Sequence, residues 1–516
     1  MIEFLTANMA PMMFGLLVVF LLSGFPVAFA LAANGIFFGF LGIELGILTP
    51  ALLQALPERV LGIMANDTLL AIPFFTFMGI ILERSGMAED LLESAGQLFG
   101  PIRGGIAYAV IFVGALLAAT TGVVAASVIA MGLISLPVML RYGYSREVAS
   151  GVICASGTLA QIIPPSLVLI VLADVLGVSV GDAYKGALIP SLMLVGLLVL
   201  YILFLSFFKP ESVPALPAEA RTLRGKALAR SIMVSMVPPV VLIFLVLGTI
   251  FIGLATPTEG GAMGAVGALA LALALVRRRL SLEVLRGALA TTTTLSTFVM
   301  FILIGSTVFG LIFRAVNGDL WVEHLFGLVP GGQIGFLLVV SLLVFVLGCF
   351  IDFFEIAFIL LPLFAPVAHK LGIDMVWFLV LVGMNMQTSF LTPPFGFALF
   401  YLRSVAPVGS YQDASSGRRI EGIATMQIYR GVIPFIALQI VALGITAAFP
   451  AMVTAPLGRS EPVNVDNIEI EVPDIEAPTQ SDASPDVPAP DGGAAGDGGS
   501  ENEALMDALR QPPDPE

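Results

Sequence analysis

Two stretches of this chain carry a proline pair inside an apolar run long enough to enter a bilayer. The first reads Ser156-Gly157-Thr158-Leu159-Ala160-Gln161-Ile162-Ile163-Pro164-Pro165-Ser166, and the second Asn385-Met386-Gln387-Thr388-Ser389-Phe390-Leu391-Thr392-Pro393-Pro394-Phe395. Consecutive prolines remove backbone donors and break a helix. At membrane depth the exposed carbonyls and amides are tolerated only if they are buried in protein or line a cavity. Interrupted segments at matching places in two halves point to a transporter's binding site.

The match extends beyond the prolines. Pro26 has a counterpart in Pro257 at an offset of 231, Leu98-Phe99-Gly100 in Leu325-Phe326-Gly327 at 227, and Leu136-Pro137 in Leu361-Pro362 at 225. The proline pairs are 229 apart. A nearly constant offset implies two homologous halves, 1–208 and 232–450, joined by a linker at 209–231. Hydrophobic residues make up 58% of the chain, charged residues 12%, and the mean hydropathy is +1.00. Soluble domains are less apolar and about twice as charged. The fold class expected is an all-α polytopic membrane protein. No cleavable signal peptide is expected, since Glu3 stands where a basic flank would be needed. Cys154 and Cys349 both lie in apolar segments, so no structural disulfide is expected.

The net charge of −14 comes from the far end of the chain. Residues 457–516 hold fifteen acids and two bases among Pro, Gly, Ala and Asp, a composition expected to stay disordered. The hydropathy places six segments in each half. The fourth in each, 106–140 and 335–370, is too long for one span and is interrupted, by Thr120-Thr121-Gly122 and by Gly348-Cys349-Phe350-Ile351-Asp352. These read as re-entrant hairpins, each followed by a proline-broken helix, 147–177 and 375–403. Each half then crosses five times, and the second is inverted relative to the first. With the 209–231 linker inside, 17 of the 23 Lys and Arg fall in cytoplasmic regions, as the positive-inside rule requires. The N-terminus and the acidic tail would be periplasmic.

Several longer stretches resemble one family. They are GALLAATTGVVAASVIAMGLISLPVMLRYGYSREVASGVICASGTLAQIIPPS (114–166), LATPTEGGAMGAVGAL (254–269), LGCFIDFFEIAFILLPLFAPVAHKLGIDMVW (347–377) and NMQTSFLTPPFGFALFYLRSVAP (385–407). The chain is similar in these to the large membrane subunit of tripartite ATP-independent periplasmic (TRAP) transporters, over about 1–450. The resemblance implies a sodium-coupled importer of small organic anions, C4-dicarboxylates or 2-oxo acids, in the bacterial cytoplasmic membrane. It implies an elevator movement, a periplasmic substrate-binding protein and a small four-helix membrane subunit, which would be a separate chain. Sodium would be the coupling ion, with no other cofactor and no nucleic-acid partner. The acidic tail and the inserted SYQDASSGRRIEG (410–422) depart from the family pattern.

The residues at the breaks suit that chemistry. Sodium prefers oxygen ligands, which unwound carbonyls supply, while half-helix N-termini attract a carboxylate. Thr120, Thr121, Gly122, Ser127, Ser156, Gly157 and Thr158 are candidates for one sodium site. Asp352, Glu355, Asn385, Gln387, Thr388 and Thr392 are candidates for a second. Ser166, Thr392, Gln161 and Gln387, beside Pro164-Pro165 and Pro393-Pro394, are the candidates for substrate contact. A buried Ser or Thr otherwise bonds the i−4 carbonyl or packs a helix interface. An acid at the bilayer centre costs about 2.5–3.5 kcal/mol on insertion scales. Asp352 and Glu355 would therefore hold sodium, carry a proton or pair with a base, unless they lie near the interface or are fixed by a structural hydrogen bond. Glu259 reads as a helix cap, Asn34 and Asp174 as interfacial residues near helix ends, and Arg141 and Arg146 as cytoplasmic anchors.

Three other readings are weighed against this one. An enzyme would need chemistry that is absent: there are two histidines, His324 and His369, and no metal-binding helix, nucleophile elbow or phosphate loop. A channel does not need broken-helix repeats. A stand-alone sodium/dicarboxylate or citrate carrier would share the hairpins and dispense with both partner proteins.

Overall fold

The computed structural model describes residues 2–275, 280–413 and 417–458. The acidic tail beyond Gly458, Arg277–Arg279, and the centre of the 410–422 insertion lie outside the described residues. Among the described residues, seven helices are long and apolar enough to cross a membrane, or up to nine if each of two bent pairs is counted as one span. The described residues are helical throughout, apart from connecting loops and one antiparallel pair, Tyr411–Gln412 with Arg419–Ile420, within the insertion.

The helices pack in pairs that exchange between the two halves. Val27–Glu44 packs along Leu282–Ala315, and Pro257–Leu275 packs along Ala71–Arg84. Arg146–Thr158 packs on Thr425–Ala448, and Met375–Leu391 on Val180–Phe208. Small residues permit the closest of these approaches, as they do generally between helices in lipid. A Cβ on Gly151 would lie 2.2 Å from the Gly431 carbonyl oxygen, and a Cβ on Gly431 would lie 2.1 Å from that of Glu147.

Loop contacts gather at two ends of the bundle. At one end the Gly104 and Ser145 amides donate to Val213 and Ser212 (2.9 and 3.0 Å), so the linker lies across the open end of the first hairpin. The Arg141 guanidinium bonds Asp413 at 2.8 and 2.9 Å, Arg146 bonds Glu421 at 2.8 Å, and Arg403 donates to the Ile423 carbonyl at 2.6 Å. The insertion is therefore docked on the hairpin that the sequence assigned no relation to it. At the opposite end Asn66 donates to Asp174 (2.8 Å), Thr258 to the Asp67 carbonyl (2.7 Å), and Gln333 to the Leu371 carbonyl (2.6 Å). The two broken helices run between these ends in opposite directions, Arg146 to Asp174 and Trp377 to Arg403.

Some expectations change. Asn34 is not interfacial: it is buried within Val27–Glu44 and donates to the Met13 carbonyl at 3.0 Å. A single amide among apolar neighbours can sit there because the Met13 carbonyl of the neighbouring helix Met9–Leu22 accepts from it. Glu259 does cap its helix, accepting from the Thr256 amide at 2.8 Å. Among the helices that escape a hydropathy reading, two pack on the bundle in different ways. Met87–Phe99 buries one face, and its Ser94 bonds Ser231 and Ser235, while Gly318–Gly327 lies bent by 113° from Gly332–Leu347.

Asp413 is 4% exposed and faces a half-buried guanidinium. Replacing it with Asn strands that cation, and Asp413→Asn is expected to cost about 1–3 kcal/mol of stability. A lowered thermal midpoint in detergent, with Glu421→Gln at the exposed pair as the near-neutral control, would check it.

Candidate functional site

The first hairpin is Gly105–Thr121 followed by Val124–Arg141. Its turn is made by Gly122 in the left-handed region (φ 59), whose amide reaches the Ala118 carbonyl. Thr120 and Thr121 both donate to the Leu117 carbonyl at 2.9 Å, and Thr121 also touches the Ser127 hydroxyl at 2.9 Å. The tip is held from two sides. A Cβ on Gly122 would meet the Leu167 amide nitrogen at 2.9 Å, and one on Gly79 would lie 2.4 Å from the Thr120 carbonyl oxygen. Ser156 packs on Gly114 and Gly157 on Val128, so the broken helix threads between the hairpin arms.

The first broken helix ends at Thr158 and resumes at Leu167–Leu176; the second ends at Leu391 and resumes at Phe397–Val405. Both proline pairs are joined by a cis peptide bond. Ser166 closes the first gap. Its hydroxyl donates toward the Ala160 and Gln161 carbonyls (2.9 and 3.0 Å) and accepts from the Val168 amide at 3.2 Å.

At the second hairpin, Gly332–Leu347 turns through Gly348–Asp352. Asp352 accepts from the Phe353 amide at 2.8 Å, and Glu355 accepts from the Asp352 amide at 3.2 Å. This is a reciprocal cap of the helix that follows. A wider turn at Ile356–Leu360 leaves the Phe358 carbonyl to accept from Ser306. Thr388 and Thr392 donate to carbonyls four residues back, at 3.0 and 2.8 Å. Asn385 donates to Ser341 of the hairpin arm at 2.6 Å.

Gln387 lies on another face of that helix, since two helical steps turn the chain by about 200°. It reaches Thr158 of the first half at 3.5 Å. Gln439 reaches the same hydroxyl at 3.2 Å, and Thr158 itself donates to the Ala155 carbonyl at 2.9 Å. Thr158 and Gln387 therefore meet in one polar junction between the two breaks. Gln439 was missed in the sequence, although an amide in the middle of the 24-residue apolar helix Thr425–Ala448 is a signal of its own. The Gln161 amide is fully buried without a hydrogen-bond partner, as are the carbonyl oxygens of Gln387 and Gln439.

Between the two tips and the helices Ala71–Arg84 and Leu282–Ala315 lie two chambers. One, of about 160 Å³, is bounded by Phe298, Phe353, Phe354, Phe390, Tyr401 and Asp352. The other, of about 320 Å³, runs past Thr121 and Thr291 to Glu83 and Arg84. Thr76, Val123, Ala125 and Leu295 border both. Among the described residues no group of three or more His, Cys, Asp or Glu is placed to hold a metal ion. An oxygen-rich site for a hard monovalent cation would draw on carbonyls and hydroxyls instead.

With this geometry established, comparison with known proteins is decisive. The family model described as "Tripartite ATP-independent periplasmic transporter, DctM component" matches residues 14–452. The chain belongs to this family. It is 31% identical over 408 residues to the C4-dicarboxylate TRAP transporter large permease protein DctM of Pseudomonas aeruginosa, covering 78% of this chain and 89% of that one. It is 29% identical over 432 residues to the sialic acid TRAP transporter large permease protein SiaM of Vibrio cholerae, covering 83% and 94%. The crystal structure of the Alcanivorax borkumensis YdaH transporter shares the fold, with a TM-score of 0.56 at 15% identity, over 80% of this chain and 91% of that one. This TRAP subunit is a multi-pass inner-membrane permease and not an enzyme.

The junction at Thr158 gives a stability test. Thr158→Val would leave two buried glutamine amides without their acceptor, at an expected cost of about 2 kcal/mol. Adding Gln439→Leu should recover part of that loss, because one of the orphaned donors is removed with it. Thermal unfolding of the single and double variants in detergent would read the difference.

Proposed function

We propose that this chain is the carrier subunit of a sodium-coupled importer of small organic anions, fed by a periplasmic binding protein and assembled with a small four-helix membrane subunit. The observation that carries this reading is the convergence of two hairpin tips on the smaller chamber, beside two broken helices. The exchange of packing between halves and the opposed broken helices support inverted repeats, with boundaries near 1–208 and 232–450. The linker and the arginine-rich loops share one end of the bundle, which supports a cytoplasmic assignment for that end. The N-terminus and the acidic tail then face the periplasm.

Function would follow from an elevator movement in which the hairpins and broken helices slide against Ala71–Arg84 and Leu282–Ala315. One sodium ion would sit where the first tip meets Ser156 and Gly157, the second where Asp352 and Glu355 face the other tip. The hydroxyl hydrogens of Thr120, Thr121, Ser156, Thr388 and Thr392 all point to helix carbonyls. Their remaining lone pairs are what a hard cation needs. Each sodium ion moved inward gains about 2.3 kcal/mol per 100 mV, which offsets the movement of anionic charge.

Uptake of labelled carboxylates into proteoliposomes holding this chain and its small subunit tests the reading. Uptake should require both the binding protein and an inward sodium gradient. Transport indifferent to sodium would reject the coupling, and transport without the binding protein would point to a stand-alone carrier. Asp352→Asn should raise the sodium concentration for half-maximal uptake by at least about tenfold.

A further inference from the structure

Three helices begin at the central chambers, and they are not equivalent. Leu167–Leu176 is capped by the Ser166 hydroxyl, and the helix that starts at Phe353 is capped by Asp352 and Glu355. Val124–Arg141, eighteen residues long, starts at Val123, and no side chain caps it. Its first amides have no partner within the helix, and Val123 and Ala125 border both chambers. Beside them stands Thr76, 1% exposed, whose hydroxyl has no hydrogen-bond partner. A free helix N-terminus and a stranded buried hydroxyl at one seam suit a single anionic group.

The space beyond the seam suits something else. The smaller chamber is walled by Phe353, Phe354 and Phe390, with Phe298 set edge-on to Phe354 at 5.7 Å. Its one acid, Asp352, caps the helix that starts at Phe353 and offers a second carboxylate no donor. In the larger chamber Arg84 is turned to the Thr291 hydroxyl (3.3 Å) and shares the lining with Glu83.

We infer that the substrate is a monocarboxylate with an apolar body, its carboxylate held by the Val124, Ala125 and Ala126 amides and Thr76, and its body in the phenylalanine chamber. This specificity rests on the anion-importer reading above. It sets the chain apart from carriers that must grip two carboxylates.

The test is binding to the full chain in nanodiscs, in sodium and in choline buffer, read as ligand-dependent shifts of the thermal midpoint. The probes are the straight-chain acids acetate to pentanoate, and the dicarboxylates malonate and succinate. In sodium, affinity should rise about threefold to fourfold per added methylene. Thr76→Val should weaken pentanoate by about tenfold while Thr76→Ser keeps it, and Phe354→Ala should flatten the rise with chain length. Dicarboxylates binding as tightly as pentanoate, or affinity independent of chain length, would overturn this specificity and leave the importer reading standing. No sodium-dependent response to any acid from a monodisperse, cooperatively unfolding sample would overturn both.

Discussion

Every backbone amide and carbonyl inside a bilayer must find its partner within the protein. This chain breaks two helices at membrane depth, and the surrounding fold answers that demand. Ser166 bridges the first gap from both sides, and the second closes through the Gly396 amide on the Thr392 carbonyl. The hairpin tips are pressed against these gaps, so that backbone freed by the prolines meets backbone freed by the turns. The result is a small region of concentrated dipoles, walled off from lipid by the remaining helices.

The two halves satisfy this demand with different chemistry. The first hairpin turns on a glycine and leaves the next helix uncapped. The second places Asp352 and Glu355 at the same point and uses them as a cap. One tip is thereby left open to negative charge and the other is closed to it, although the segments follow the same plan. Two similar hairpins can build an asymmetric site in this way, because helix position is set by apolar packing and small residues, whereas local charge is set by a few side chains.

Legibility in the sequence followed the range of the interaction. Proline pairs, interrupted apolar runs and the distribution of Lys and Arg act locally or statistically, and the helix starts and stops near them appear where the pattern indicates. Glu259 was legible as a cap because its partner, Thr256, is three residues away. Asn34 was misjudged because its acceptor, Met13, belongs to another helix. The docking of the 410–422 insertion on Arg141 and Arg146 was invisible for the same reason, since its partners are more than 270 residues apart.

By itself, then, the sequence determined that this is a membrane-embedded helical protein with two proline-broken helices. Each of those features depends on composition and on spacing within one segment. Only the tertiary structure decided which polar residues meet. It joined Thr158 to Gln387 and Gln439 across the two halves, turned Asn385 and Gln387 to different neighbours, and left Thr76 stranded beside an uncapped helix. The physical reason is directional: a hydrogen bond needs its two groups within about 3 Å and suitably aligned, and residues hundreds of positions apart acquire that relation only when the helices pack.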